Sequence, residues 1–369
     1  MSRSAGSTNK NKLNLPRKRS LSSTSVSKGL PPPEVGEKAS DFVAAASKTN
    51  NPKARAAQFD QVVQFSRITF DAVITNRERS RSMIPIHEKK RVKLPIKKQD
   101  KDNEFIHATY AAFNREDYIL TQSPTKDTIG EFWRMIWQDG CKLIICMIET
   151  SAFGDDEDKC FQYFPTSEST PVTCLDGRFT VKLVKKWENK GFATYDLTLA
   201  CADEPEVKEE TKSKSNAKTA EPTQDDDNKP RAITLMHYYE WKENEWPDIE
   251  RLAPFVHTVS NKEVHIIKKI TDDYVPPVVL QGHLGLNRSC AIWVLLILMK
   301  QVDRKDCFDV EALAKHLVRL RPGAFTHELC FFVMIATAFR IAALGGWSTT
   351  EEAKERVKEL KSAVKQYIK

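Results

Sequence analysis

The segment VVLQGHLGLNRSCAIWVLLILMK, residues 278–300, carries the clearest chemical potential in the chain. A strand-like apolar run leads into a short loop with two glycines, and then into Arg288 and a long apolar helix. A strand, a tight loop and a helix N-terminus form a cradle of backbone N–H groups that suits a phosphate. Arg288 adds a guanidinium that can bind two oxygens of a dianion. At the start of the loop, however, the residue is Gly282, which has no side chain that could attack phosphorus.

The elements around this loop predict an α/β (α+β) fold. Alternating or continuous apolar runs indicate strands, and apolar residues at helical spacing indicate helices from Asp41 to Ile68, in TKDTIGEFWRMIWQDG and through most of the last third of the chain. The predicted strands are FIHATYAAF, DYILTQS, KLIICMIE, CFQYFP, RFTVKLVKKW, FATYDLTLAC, AITLMHYYEW and PPVVLQ.

Composition divides the chain into parts. Residues 1–38 form a basic, Ser/Thr-rich segment that cannot bury a core, and we expect it to be disordered. One domain follows over residues 39–345, interrupted at 203–230 by a charged Ser/Thr/Pro-rich insertion that we also expect to be disordered. Residues 346–369 read as a polar C-terminal helix.

Charge and cysteine usage limit the function classes. Residues 1–33 contain seven basic and no acidic residues, as many as the whole net charge of +7, so the folded part is close to neutral and we expect no nucleic-acid partner. The eight cysteines show no metal-binding spacing, and we expect free thiols, no metal and no cofactor. The longest apolar run, at 291–299, is too short to span a bilayer. We expect a cytoplasmic protein, with nuclear import possible through the basic tail.

Five segments, taken in order, resemble the protein tyrosine phosphatase domain family over roughly residues 40–345. MIPIHEKKRV resembles the stretch after its substrate-ring loop, and DYILTQSPTKDTIGEFWRMIWQDG its strand–turn–helix signature. DKCFQYFP resembles a later stretch, EWPD its mobile acid loop, and VVLQGHLGLNRS its phosphate loop. The resemblance implies a highly twisted mixed sheet flanked by helices on both faces.

The resemblance also implies residue roles. The family pattern H-C-x-x-G-x-x-R-S/T reads here from Gln281 to Ser289, which puts Gly282 at the nucleophile position and Ser289 at the hydroxyl position. In EWPD, Trp246, Pro247 and Asp248 take the acid-loop positions, with Asp248 as the general acid. The implied phosphate-binding residues are His283, Leu284, Gly285, Leu286, Asn287 and Arg288.

Other positions depart from the family pattern. The ring-stacking tyrosine falls at Ser80 or Glu78, depending on the alignment, and neither residue offers an aromatic face. The family's two glutamines match Thr326 and Cys330, and Leu284 stands where a small residue is usual.

These residues together predict a catalytically inactive member of the family, a pseudophosphatase. We expect a regulatory binding module whose partner is a phosphotyrosine protein, a pseudosubstrate-like protein or a protein-kinase-type protein. One alternative is a scaffold that uses another surface and binds no phosphate, with Arg288 only tying the phosphate loop to the acid loop. A second alternative is a residual phosphatase that uses His283 or Cys290 as an unconventional nucleophile.

Overall fold

The structure is a computed structural model that describes residues 38–64, 72–73, 86–95, 104–114, 116–156, 159–202, 229–271, 274–305 and 307–367. The predictions for the N-terminal segment up to residue 37, for the insertion between 203 and 228, and for Glu78 and Ser80 lie outside the described residues. Among the described residues, no helix is both long and apolar enough to cross a membrane.

Most strands of the described chain occur in two consecutive runs, the first five strands and the seventh to the tenth, and the last four helices follow one another. The helices are α1 (Ala39–Thr49), α2 (Pro52–Gln64), α3 (Ile129–Gln138), α4 (Ile249–Ile267), α5 (Arg288–Arg304), α6 (Val310–Leu320), α7 (Glu328–Leu344) and α8 (Thr350–Tyr367). The strands are β1 (Ala72–Val73), β2 (Ile86–His87), β3 (Arg91–Lys93), β4 (Phe105–Tyr110), β5 (Tyr118–Gln122), β6 (Leu143–Cys146), β7 (Val172–Cys174), β8 (Phe179–Asn189), β9 (Phe192–Cys201), β10 (Arg231–Tyr238) and β11 (Val278–Gly282).

The described residues form a nine-stranded sheet in the order β3-β4-β5-β11-β6-β10-β9-β8-β7, and β1 pairs with β2 separately. The four central strands, β5, β11, β6 and β10, run parallel, and the pairs outside them are antiparallel. Central parallel strands are buried on both faces, which explains why β6 reads as the continuous apolar run LIIC. The predicted mixed α/β fold is confirmed.

Each face of the sheet carries its own hydrophobic core. Leu143 and Ile145 of β6 face the larger cluster, to which α1, α2 and α4–α8 contribute, and Ile144 and Cys146 face a second cluster built with α3. Successive side chains of a strand point to opposite faces, so one short apolar strand serves both cores. Helices therefore flank both faces, as predicted. The C-terminal helix α8 belongs to the larger core through Ala353, Leu360 and Val364.

The helical pattern that starts near Asp41 belongs to two helices, because Asn50 ends α1 and the Asn51 side chain caps α2 by accepting a hydrogen bond from the N–H of Ala54 at 2.8 Å. One local prediction was wrong. Residues 160–165, CFQYFP, are not a strand and form only an isolated bridge at Cys160. Their alternation reflects Tyr163 and Phe164, whose rings lie 5.0 Å apart in the second core.

Candidate functional site

The loop between β11 and α5, residues 283–287, leaves the carboxyl end of the parallel strands, which is where open α/β sheets place their ligands. Hydrogen bonds from neighbouring segments fix the two residues that precede the loop. The N–H of Ser123 donates to the carbonyl of Gly282 at 2.7 Å, and the N–H of Met147 donates to the carbonyl of Gln281 at 2.8 Å. The Gln281 side chain is fully buried and accepts a hydrogen bond from the Tyr163 hydroxyl at 3.1 Å. The loop therefore starts from a fixed point.

Gly285 makes the turn possible. Its φ of +67° lies in the left-handed region, and a Cβ at this position would come within 2.4 Å of the Thr121 carbonyl carbon and 2.6 Å of the Gln122 nitrogen. Only glycine allows the loop to press against β5 at this distance. The glycine predicted here thus has a clear backbone role.

Arg321 fixes the outer side of the turn, and the sequence analysis missed it. Its guanidinium is 1% exposed and donates to the carbonyls of Gly285 and Leu284, each at 3.2 Å. The same group contacts Thr109 Oγ1 and His107 Nδ1, both at 2.9 Å. The run RPGAF contains this arginine, but only the position after it, Thr326, was considered for a role. Arg321 positions the loop, because it holds two of its carbonyls pointing away from the cleft.

The backbone N–H groups of the loop divide into two sets. Those of Gly285 and Asn287 donate to the carbonyls of Gly282 at 3.2 Å and Ala324 at 2.7 Å. Those of Leu284, Leu286 and Arg288 have no acceptor in the part of the chain that the structure describes. The predicted cradle over 283–288 is therefore only partly available, although the second set sits beside the N-terminus of α5, where the helix dipole favours an anion.

Asn287 ties the loop to a second loop before α7. Its side-chain Oδ1 accepts hydrogen bonds from the N–H groups of Thr326 at 2.9 Å and His327 at 3.1 Å, and its Nδ2 donates to Thr326 Oγ1 at 2.8 Å. The backbone of Asn287 has φ 49° and ψ −94°, which lies outside the left-handed helical region, so its side-chain hydrogen bonds hold a strained conformation. The Thr326 hydroxyl is thus engaged with the phosphate loop.

Arg288 is 7% exposed and donates from Nη1 to the backbone carbonyl of Trp241 at 2.6 Å. No carboxylate among the described residues pairs with it. This hydrogen bond ties the phosphate loop to Trp241 in the segment after β10, and not to the acid-loop residues that the sequence analysis named. The Arg288 side chain also lines a cleft, so its other guanidinium nitrogens are placed beside the space that an anion would occupy.

The cleft beside Arg288 has a volume of about 530 Å³, including the solvent at its mouth. One wall is the phosphate loop, the second is the segment 241–245 after β10, and the third is the start of α7 with the residues before it. The charged or titratable side chains of the cleft are Lys242, Glu243, Glu245, His283, Arg288, His327 and Cys330. Two basic side chains, Arg288 and Lys242, thus line the cleft, and Lys242 lies 3.8 Å from the Glu245 carboxylate.

The structure does not bring Asp248 to this cleft. Its carboxylate caps α4, accepting from the N–H of Glu250 at 2.9 Å, and lies 3.2 Å from Nε of Arg251. Pro247 is buried, and Trp246 packs against the larger core with the Lys361 ammonium 5.8 Å from its ring centroid. In this structure Trp246, Pro247 and Asp248 thus lead into α4, and of the EWPD segment Glu245 alone lines the cleft.

Glu243 is the acidic side chain that the sequence analysis missed. It lines the cleft, and its charge acts on the Cys330 thiol together with the opposing charge of Arg288, although burial is the main cause that raises the pKa of Cys330 to about 12. The signal was present in the sequence: β10 ends at Tyr238, at the same edge of the sheet as the phosphate loop, so the residues that follow directly must border the site.

Space exists beside Gly282, which the resemblance to the family puts at the nucleophile position. A Cβ built on Gly282 would meet Ser289 Oγ at 3.2 Å, Ser289 Cβ at 3.5 Å and the Gly285 nitrogen at 3.9 Å. Only the serine hydroxyl, which donates to the Leu286 carbonyl at 3.2 Å, would have to move slightly. The loop thus retains nearly the room that a small side chain needs.

The two alternative nucleophiles lie in different surroundings. Cys290 is fully buried, donates to the Gly285 carbonyl at a sulfur–oxygen distance of 3.8 Å, and has its pKa raised to about 12 by burial. His283 is half-buried and lines the cleft. The structure therefore places His283, but not Cys290, where a ligand could meet it.

The fold is a mixed sheet flanked by helices, with an arginine-bearing loop at the carboxyl edge of its central parallel strands. The chain matches the family "Protein-tyrosine phosphatase" over residues 75–339, and it therefore belongs to the protein-tyrosine phosphatase family.

Individual relatives are distant. The chain is 26% identical to Tyrosine-protein phosphatase 1 of Dictyostelium discoideum over 235 residues, which are 62% of this chain and 40% of that protein. It is 26% identical to Receptor-type tyrosine-protein phosphatase zeta of Rattus norvegicus over 68% of this chain and 10% of that protein. Tyrosine phosphatase-like protein J1 of Microplitis demolitor bracovirus is 24% identical over 68% of this chain and 77% of that protein. The chain thus spans less than half the length of the first two relatives.

Proposed function

We propose that this protein is a catalytically inactive member of its family that binds a tyrosine-phosphorylated or pseudosubstrate-like protein partner through the cleft beside Arg288. The observation that carries the proposal is the combination of Gly282 at the start of the loop with a buried Arg288 that no carboxylate neutralises among the described residues. The loop keeps a group that holds a dianion and lacks the group that would attack it.

Replacement of the missing thiolate by a neighbouring thiol is disfavoured. Cys290 and Cys330 both have a pKa raised to about 12 by burial, so both are protonated at neutral pH. Asp248, the expected general acid, caps α4 and does not line the cleft. Protonated neighbouring thiols and an Asp248 side chain outside the cleft lining both support the proposed inactivity.

Binding of an anion is favoured by the same changes. Absence of a thiolate removes a negative charge that would lie close to the phosphate, and the Arg288 side chain and the N–H groups of Leu284, Leu286 and Arg288 remain as donors. Glu243 and Glu245 oppose this attraction from the facing wall. A partner that presents either a phosphotyrosine or an acidic side chain can therefore compete for the same arginine.

The test is calorimetric titration of the full chain with three peptides of one sequence, carrying phosphotyrosine, tyrosine or glutamate at the central position. Vanadate and sulfate serve as small probes. Arg288→Ala removes the guanidinium, and Arg288→Lys keeps the charge but not the two-pronged geometry. Arg178→Ala, at the turn before β8, is the matched control for loss of an arginine far from the cleft.

We expect phosphopeptide binding that weakens on the order of 10- to 100-fold in Arg288→Ala, since a hydrogen bond to a charged group contributes about 1.5–3 kcal/mol. Equal binding of the glutamate peptide would identify a pseudosubstrate partner. No binding of any probe, or binding that Arg288→Ala leaves unchanged, would refute the proposed cleft and favour a scaffold with another surface. Turnover that disappears in His283→Ala would refute catalytic inactivity.

A further inference from the structure

The outer edge of β8 is an open strand edge. Its first residues pair with β7 through Val172 and Val181, but β7 begins directly after Pro171, which lacks the N–H that a longer ladder would need. Beyond that point, residues 182–183 and 185–189 pair with β9 on one side, and no described residue pairs with 182–189 on the other. Eight residues of strand span about 26 Å, so the edge can receive a peptide of ordinary strand length.

Apolar side chains are exposed along this edge. Val184 is 56% exposed and Trp187 is 39% exposed, and both belong to the small set of large apolar residues that the described chain leaves exposed. Val184 lies at a register shift between Leu183 and Lys185, after which β8 and β9 stay in register as far as Asn189. The regularly paired part of the edge is therefore residues 185–189, with Trp187 at its centre.

The same edge is positively charged, and part of that charge is not neutralised. Lys185 stands opposite Asp196 in the ladder, but the Asp196 carboxylate accepts from the Thr234 hydroxyl at 3.1 Å, and the Lys185 ammonium lies 4.8 Å from the Trp187 ring centroid instead. Lys182 has no carboxylate partner among the described residues. Lys186 differs, because it pairs with Glu188.

We propose that the outer edge of β8, residues 182–189, is a docking strand for an acidic, extended segment of a partner protein, which adds to the sheet beside β8. Main-chain hydrogen bonds to the open edge would supply affinity, and carboxylates next to Lys182 and Lys185 would supply selectivity. Pairing with β8 of a second copy is disfavoured, because it would bring two sets of lysines together.

This surface is separate from the cleft. Three strands, β6, β10 and β9, lie between β8 and the strand that carries the phosphate loop, which places the two about 19 Å apart across the sheet. The docking strand therefore does not depend on the proposed phosphate site, and loss of Arg288 should leave it intact.

The test is titration of the full chain with a blocked peptide of alternating Glu and Val or Thr residues, followed by hydrogen exchange of the β8 amides. A peptide with Lys in place of Glu, and one with a central Pro, are the probe controls. Lys182→Glu combined with Lys185→Glu is the test variant. Lys354→Glu combined with Lys358→Glu, on the exposed side of α8, changes the net charge equally and is the matched control.

We expect the acidic peptide to bind, to protect amides within 182–189, and to lose at least about 10-fold in affinity in the test variant but not in the control. Arg288→Ala should bind it as the wild type does, which separates this result from that of the cleft. No binding, binding without protection of these amides, or equal loss in both double variants would overturn the proposal. Binding that appears only after residues 203–228 are deleted would assign the edge to the chain's own acidic segment and also overturn it.

Discussion

Arg288 at the start of α5 donates a hydrogen bond to the backbone carbonyl of Trp241, at 2.6 Å, and so joins the phosphate loop to the segment that follows β10. This bond uses one nitrogen of the guanidinium. Arg288 lines the cleft together with Trp241 and with Glu243 and Glu245, which follow Trp241, whereas Asp248 does not line it.

The first prediction concerns Gly282. We expect Gly282→Cys to fold as the wild type does, since the space at this position is nearly sufficient, and to gain slow hydrolysis of p-nitrophenyl phosphate. Phosphotyrosine peptides should turn over at least about 100-fold more slowly than this activated ester, because Asp248 is not placed to protonate a poor leaving group. Stopped assays of both substrates measure the ratio. Gly282→Ser is the control and should stay inactive, and equal activity in the wild type or in the serine variant would contradict the prediction.

The second prediction concerns the two acidic residues. Glu243→Gln should tighten binding of a phosphopeptide about 3- to 10-fold at low salt, because it removes a negative charge from the cleft wall, and the gain should shrink as salt is added. Asp248→Asn should leave that affinity unchanged and cost about 1 kcal/mol or less of unfolding free energy, because it alters a helix cap. Calorimetry and urea denaturation separate the two effects. The reverse pattern would mean that Asp248, and not Glu243, faces the ligand.

The third prediction concerns Gly285. Gly285→Ala should lower the free energy of unfolding by at least about 3 kcal/mol and abolish anion binding, because the new Cβ would overlap the backbone of β5. Gly346→Ala is a matched control, since its φ of +76° is similar but nothing lies within 4 Å of an added Cβ. It should cost only the conformational penalty of about 1–2 kcal/mol. Equal losses in the two variants, measured by urea denaturation, would show that the close approach to β5 is not decisive.

The fourth prediction concerns pH. His237 is buried, its Nε2 lies 2.6 Å from the Ile148 carbonyl, and burial lowers its pKa below 6.5. The unfolded chain therefore takes up this proton first, so the stability that neutral His237 provides is complete above the unfolded pKa and is lost as the pH falls toward the folded pKa. His237→Gln should reduce the loss of unfolding free energy between about pH 7 and about pH 5.5, whereas His265→Gln, at an exposed position, should not. An unchanged slope in His237→Gln would exclude this residue as a source of acid sensitivity.

The periodicity of apolar residues and the local sequence signals were sufficient to predict most of the strands and helices. The runs DYILTQS and KLIICMIE became β5 and β6, and the strand, loop and helix around Gly282 and Arg288 were found from their order alone. The alternation of a strand and the length of an apolar run lie within one stretch of sequence. They can therefore be recognised without knowing which other elements pack against that stretch. CFQYFP failed because alternation also arises where aromatic side chains of a loop fill a core.

The residues that line the cleft could not be predicted from the sequence in the same way. The short run EWPD pointed to Asp248, but the residue that borders Arg288 is set by where β10 ends and by the parallel pairing of β10 with β6 and of β6 with β11. Arg321 and Asn287 hold the loop through contacts with segments that are distant in the chain, and no local pattern reports such contacts.

The sequence by itself determined the class of fold and placed Gly282 and Arg288 in one loop between a strand and a helix, because these depend on residue type and local order. Only the tertiary structure decided which N–H groups remain open, which carboxylate faces the cleft and which strand edge is uncovered. Each of these depends on hydrogen bonds and burial between segments far apart in the chain, where the geometry of packing and not the identity of a single residue sets the outcome.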